Sequence, residues 1–69
     1  MPLKFQVGDL VRFFPYKAPV SGMPEVGLVL ESREMTHIDR GYKYEVVRVQ
    51  FGKQDYTLPS KDFNLVKRP

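Results

Sequence analysis

The stretch Tyr42-Lys43-Tyr44-Glu45-Val46-Val47-Arg48-Val49-Gln50-Phe51 carries the clearest structural signal in the chain. Successive side chains of a strand point to opposite faces, so Val47, Val49 and Phe51 share one face while Arg48 and Gln50 occupy the other. That pattern predicts a half-buried strand with Val47, Val49 and Phe51 in the core. Gly52-Lys53-Gln54-Asp55 then reads as a tight turn returning the chain into Tyr56-Thr57-Leu58.

Working outward, a first strand follows Gly8-Asp9, with Val11 and Phe13 on one side, Leu10, Arg12 and Phe14 on the other, and Val7 joining the core at its start. Val26 to Arg33 predicts a second strand, with a bulge expected near Gly27. Within it, alternation leaves open which of Leu28, Val29 and Leu30 faces inward. Asn64 to Lys67 predicts a last short strand. Between it and Leu58, Pro59-Ser60-Lys61-Asp62-Phe63 suits a single 3₁₀ turn capped by Ser60, with Phe63 dropping into the core. The one rival helix, Leu28 to Arg40, has good helix formers, but its apolar positions keep no i, i+3/i+4 stripe. A strand followed by a polar loop from Glu34 to Gly41 is the preferred reading.

Composition agrees with this. The chain has 69 residues, and Val, Ile, Phe and Tyr make up 19 of its 29 apolar residues, a bias toward side chains that suit a pleated surface. Proline at 15, 19, 24 and 59 and glycine at 8, 22, 27, 41 and 52 leave only short stretches free of breakers, which excludes long helices. The length predicts one domain over residues 1–69. A domain of this size buries only roughly 60% of its unfolded surface, so a large active-site cavity would remove much of what holds it together. This argues against an enzyme. The net charge of +3 and pI near 9.4 are mildly basic, permitting an acidic partner without demanding one. Cysteine is absent, so neither disulfides nor thiolate metal ligands contribute. The longest apolar run is Leu28 to Leu30, which predicts a cytoplasmic protein with no membrane segment.

The order of these features resembles an SH3-like small β-barrel: five short strands, Val7-Gly8-Asp9-Leu10-Val11-Arg12, a Pro-rich first loop, Gly27-Leu28-Val29, and a 3₁₀ turn before the last strand. Val7 to Arg12 followed by Gly27 to Val29 resembles the opening of KOW-type barrels. Leu58 to Phe63 resembles the segment that ends signalling SH3 domains. Tyr44 to Phe51, Asp55-Tyr56 and Phe63 to Val66 are similar to the small stromal SH3-like subunit of photosystem I and, more distantly, to the ferredoxin-docking subunit of the photosynthetic NAD(P)H dehydrogenase complex. Standalone phage and bacterial barrels look equally similar. The resemblance implies an all-β, five-stranded barrel acting as a binding or complex-stabilising module. It does not extend to proline-peptide reading, because Val11 to Tyr16 stands where signalling domains carry Ala-Leu-Tyr-Asp-Tyr, and the chain has no Trp.

Catalytic candidates are sparse. His37 is the only histidine, and Asp39 could orient it for base chemistry, but on a polar loop without a second His or a Cys the solvated reading is preferred. Ser21, Ser32 and Ser60 have no positioned base in sequence. Glu31, Glu34 and Asp39 are interleaved with Arg33 and Arg40, which reads as a charged solvent face and not as a metal site. No phosphate loop or dinucleotide fingerprint is present, so no cofactor, metal or small-molecule substrate is expected.

Two constellations remain. The loop between the first two strands, Phe14 to Glu25, offers Phe14, Tyr16, Val20 and Met23 as an apolar patch for a partner protein, or as a lid folded over an open barrel end. The third strand and its surroundings offer Arg40, Tyr42, Lys43, Tyr44, Arg48, Lys53 and Tyr56, a basic and aromatic set of the kind that binds single-stranded nucleic acid. The leading expectation is a non-enzymatic protein-binding module using the first loop and the outer face of the third strand. The alternative is an RNA or single-stranded DNA binder.

Overall fold

A computed structural model describes residues 3–14 and 24–69. It contains β1 (Leu10–Phe13), β2 (Gly27–Thr36), β3 (Lys43–Phe51), β4 (Gln54–Pro59), a 3₁₀ turn (Ser60–Asp62) and β5 (Phe63–Lys67). The five strands form one antiparallel sheet in the order β4-β3-β2-β1-β5. Among the described residues no ladder joins β4 to β5, so the sheet is not closed. It is nevertheless strongly curled. Three inter-strand spacings separate β3 from β5, about 14 Å in a flat sheet, yet the Phe51 and Phe63 rings lie 6.3 Å apart. Tyr56 on β4 meets Phe13 on β1 at 5.5 Å across an equal number of strands.

Inside the curl lie Phe5, Val11, Val29, Val47, Val49, Phe51 and Phe63, with Phe13, Tyr56 and Leu58 packed against them. The expected inward residues of β3 and Phe63 are therefore core residues. So is Val29, while Leu28 is exposed on the other face and Leu30 is half-buried. The irregularity expected near Gly27 falls instead at Leu30: Val29 pairs with Val49 but Glu31 already pairs with Arg48. Gly27 has a different role. A Cβ there would stand 2.6 Å from Val49 Cγ1 and 2.8 Å from the Phe51 ring, so β2 crosses the core where only a bare backbone fits.

Four further expectations need correction. Val7 is 69% exposed, because Asp9 N–H bonds the Gln6 carbonyl and Gly8, at φ +96°, turns the chain so that Gly8 N–H reaches Val29. That tight turn puts Val7 at its tip, and Phe5 fills the core in its place. The second strand runs on through Thr36, where a polar loop was expected from Glu34, since Glu34, Met35 and Thr36 pair with Glu45, Tyr44 and Lys43. Polar residues are compatible with strand where both faces meet water. Ser60 makes no capping hydrogen bond; Pro59 occupies the cap position, and Phe63 N–H closes the turn on the Ser60 carbonyl. The last turn residues also differ: β4 already begins at Gln54, opposite Phe51, which leaves Gly52 and Lys53 as a two-residue hairpin. Gly52 has φ +61° and Lys53 does not have positive φ, the combination of a type II′ turn.

The chain ends are tied together by a pair that sequence reading did not find. Asp9 is buried and accepts hydrogen bonds from the Gln6 N–H at 2.9 Å and from the Arg68 guanidinium at 2.9 and 3.1 Å. Arg68 also donates to the Lys4 carbonyl at 2.8 Å. The Arg68 hydrogen bond holds the Asp9 carboxyl below its ordinary pKa, against the opposing effect of its desolvation, and the same contact raises that of Arg68. Among the described residues no helix is long and apolar enough to cross a membrane.

Candidate binding surface on the β2–β3 arm

The ladders of β2 and β3 are unequal in length to their neighbours. β1 pairs with β2 only at Gly27 and Leu28, and β4 pairs with β3 only from Val46 to Phe51. Beyond those limits Glu34–Thr36 and Lys43–Glu45 continue as a two-stranded arm. Its tip is held by local chemistry. His37 N–H donates to the Tyr42 carbonyl at 2.8 Å, and the Gly41 N–H returns to the His37 carbonyl at 2.9 Å, with Gly41 at φ +73° closing the loop. The His37 Nδ1 accepts the backbone N–H groups of Asp39 and Arg40 at 3.3 and 3.2 Å. That occupies as an acceptor the nitrogen whose N–H an Asp39 carboxylate would have to hold, and it is the Asp39 backbone, not its carboxylate, that meets the ring. The histidine is a half-buried turn-former, where a solvated loop residue was expected.

Aromatic rings line the outer side of the arm. The His37 and Tyr42 rings stack with centroids 4.7 Å apart, and Tyr44 follows at 5.9 Å from Tyr42. Arg40 and Lys43 stand beside them, exposed. Four members of the basic and aromatic set thus share the arm: Arg40, Tyr42, Lys43 and Tyr44. The other three lie elsewhere. Tyr56 packs edge-on against Phe13 and Phe51, so its ring belongs to the core. Lys53 sits at the opposite end of β3, in the β3–β4 turn. Arg48 is engaged by Asp55 at 2.7 Å, a hydrogen bond that raises its pKa above the ordinary value. Lys43 also has an anion nearby, Glu34 at 3.6 Å. Of the first-loop set, Tyr16, Val20 and Met23 lie outside the described residues. Phe14 is exposed and anchored by its N–H to the Asp62 carbonyl at 2.9 Å.

On one side the arm runs past the end of β4. In an antiparallel ladder the N–H and C=O of successive residues point to opposite neighbours. The Tyr42 carbonyl takes its bond from β2, so Tyr42, Tyr44 and Val46 face β2, while Lys43, Glu45 and Val47 face the other way. For Val47 that way is β4. The Val46–Pro59 pair is a non-hydrogen-bonded one, since Pro59 has no N–H, so the ladder ends on the Ser60 N–H donating to the Glu45 carbonyl, and only Lys43 extends beyond the 3₁₀ turn.

Two hollows meet beside the end of β4. An outer one of about 320 Å³ is lined by His37, Tyr42, Tyr44, Pro59, Ser60 and Lys61, with Glu45 at its margin. An inner one of about 270 Å³ is lined by Leu3, Lys4, Glu34 and Lys43 and shares Tyr44, Glu45 and Ser60 with the first. Glu45 is fully engaged from within. Its carboxylate accepts the Lys4 and Phe5 N–H groups at 3.1 and 2.9 Å and the Ser32 hydroxyl at 2.6 Å. This glutamate fastens the N-terminal segment under the arm and sets the floor of the inner hollow.

Sequence reading missed His37, Pro59, Ser60 and Lys61 as members of this surface. No local signal marks them, because their meeting depends on where β4 stops against β3. No group of three or more metal-ligating side chains occurs among the described residues. Comparison with protein-family models, curated proteins and solved structures finds no match for the chain.

Proposed function

We propose that this protein is a non-enzymatic binding module built on a five-stranded SH3-like barrel, and that it holds a partner protein on the β2–β3 arm. The curl of the sheet, which brings β3 against β5 and β4 against β1 over one apolar core, supports the barrel reading. The observation that carries the function is the aromatic face of the arm, Tyr42 and Tyr44, bordered by two adjoining hollows where β3 runs past the end of β4. Aromatic side chains beside surface hollows are features through which proteins recognise one another.

A second reading, single-stranded nucleic acid on Arg40, Tyr42, Lys43 and Tyr44, draws on the exposed Tyr42 ring. Three observations weigh against it. His37 covers one face of that ring, Lys43 and Arg48 have carboxylate partners, and Tyr56 is committed to the core.

Affinity capture from host lysate tests the choice, using the natural chain and a Tyr42→Ala/Tyr44→Ala variant, each with and without nuclease. A protein retained after nuclease treatment and lost from the variant is the expected result. A retained fraction that nuclease releases would overturn the protein-binding reading in favour of nucleic acid.

A further inference from the structure

We infer that the tip of the arm is a proton-sensitive switch, in which a proton taken up by His37 releases the turn and reshapes the aromatic surface beside it. The effect on a partner rests on the binding-module reading; the switch itself stands on the geometry of the turn.

His37 serves the tip as an N-cap residue serves a helix. Its carbonyl accepts the Gly41 N–H, four residues on, at 2.9 Å. Its ring nitrogen Nδ1 accepts the N–H groups two and three residues on, from Asp39 at 3.3 Å and Arg40 at 3.2 Å, the same two positions that a capping side chain satisfies. A neutral imidazole has one acceptor nitrogen and one N–H, so the turn requires the proton on Nε2. The imidazolium donates from both nitrogens and accepts at neither. A proton on Nδ1 therefore faces two amide N–H groups, and three donors meet with no acceptor between them. The ring must swing away, and the Asp39 and Arg40 amides lose the one acceptor they have among the described residues.

The charges around the ring do not override this. Asp39 and Arg40 lie in the turn itself, and Glu45 of β3 and Lys61 of the 3₁₀ turn border the hollow that His37 lines, so the two signs balance. The Glu45 carboxylate is already taken by the Lys4 and Phe5 N–H groups and the Ser32 hydroxyl. Tyr42, stacked on the ring at 4.7 Å, accepts a cation over its face as readily as a neutral ring. The stack therefore does not select the neutral imidazole; the two amides do. His37 is also a wall of the outer hollow and the cover of one Tyr42 face. When the ring leaves the turn, the hollow loses that wall and Tyr42 its cover, so the surface offered to a partner at neutral pH is absent in acid.

The test follows amide and ring resonances of the full chain from about pH 8 to about pH 5, the range in which histidine is the side chain that changes charge; His37 is the only one present. At the alkaline end, long-range proton–nitrogen correlations should show the Nε2–H tautomer. On acidification the Ile38 to Gly41 amides and the Tyr42 ring should shift in step with the His37 ring, while the Val47 and Val49 amides stay fixed. His37→Asn places an acceptor oxygen at the same distance along the side chain and cannot take up the proton; asparagine is among the best N-cap residues. Its tip amides should stay fixed across the whole range. The titration of the natural chain needs no variant to fold.

The inference is overturned if the His37 ring titrates while the Ile38 to Gly41 amides or the Tyr42 ring stay where they were. It is also overturned if the tautomer at the alkaline end carries its proton on Nδ1, or if the tip of His37→Asn still moves with pH. Lysate capture that survives the double tyrosine variant is a different failure: it removes the arm as the binding surface, while the resonances read the switch directly.

Discussion

Replacing Val49 by alanine removes two methyl groups from a side chain with no solvent exposure, packed where β2 and β3 cross the core. At about 0.8 kcal/mol per buried methyl-sized group, the transfer cost is about 1.6 kcal/mol. The site has little capacity to collapse, because Gly27 already brings the β2 backbone hard against Val49 and the Phe51 ring. A residual cavity of about 50 Å³ at about 24 cal/mol per Å³ adds about 1.2 kcal/mol. The sum is about 3 kcal/mol, a large fraction of the stability of a small domain. Gln50 is exposed on the opposite face, so Gln50→Ala should change stability by less than about 0.5 kcal/mol. Urea unfolding followed by circular dichroism measures both. Equal costs for the two variants would mean that β3 presents its faces one residue out of step, and the register of the whole sheet would have to be redrawn.

Gly27→Ala approaches the same contact from the other side: its new methyl must displace Val49 or Phe51, and a loss of about 1–3 kcal/mol by urea titration is expected. Glu45→Ala strips three donors of their acceptor, and the same titration should show a loss of about 2 kcal/mol, with faster amide exchange at Lys4 and Phe5. Asp9 introduces a pH dependence. Its folded pKa lies below the ordinary 3.8, so the unfolded chain binds the proton more readily. Its contribution is complete above the unfolded value and disappears as pH falls through the folded one. Thermal melts of Asp9→Asn below about pH 4 should therefore fall less steeply with acid than those of the natural chain.

The legible part of this fold is the part governed by local alternation. Val47, Val49 and Phe51 declare their face within five residues, and Phe63 follows a proline-led turn into the core. What could not be read depends on distant partners. Phe5 belongs to the core because Gly8 N–H finds Val29, a residue 21 positions away in the chain. Leu30 becomes the bulge because Val29 and Glu31 must both keep partners on β3. The run from Glu34 to Thr36 looks like loop because neither of its faces is buried, yet the β3 backbone beside it holds it as strand. The basic and aromatic set was legible in type but not in address. Tyr42 and Tyr56 have the same side chain, and only the curl of the sheet decides that one meets solvent and the other meets Phe13.

The arm also divides β3 into two thermodynamic environments. From Phe51 back to Val46 the strand lies between two ladders over the core, so freeing its amides requires breaking the sheet apart. From Glu45 to Lys43 it is held by β2, by the Ser60 N–H on the Glu45 carbonyl, by the Glu45 side-chain contacts and by the tip, with no second ladder at Lys43. Amide protection should therefore decline along one continuous strand, from close to the global unfolding free energy at Val47 and Val49 to local fraying at Lys43. Opening and reclosing of the arm can proceed while the core stays intact. A partner seated on the arm would damp that fraying and carry the protected zone outward toward the tip, so that bound and free protein differ in local stability and not in fold.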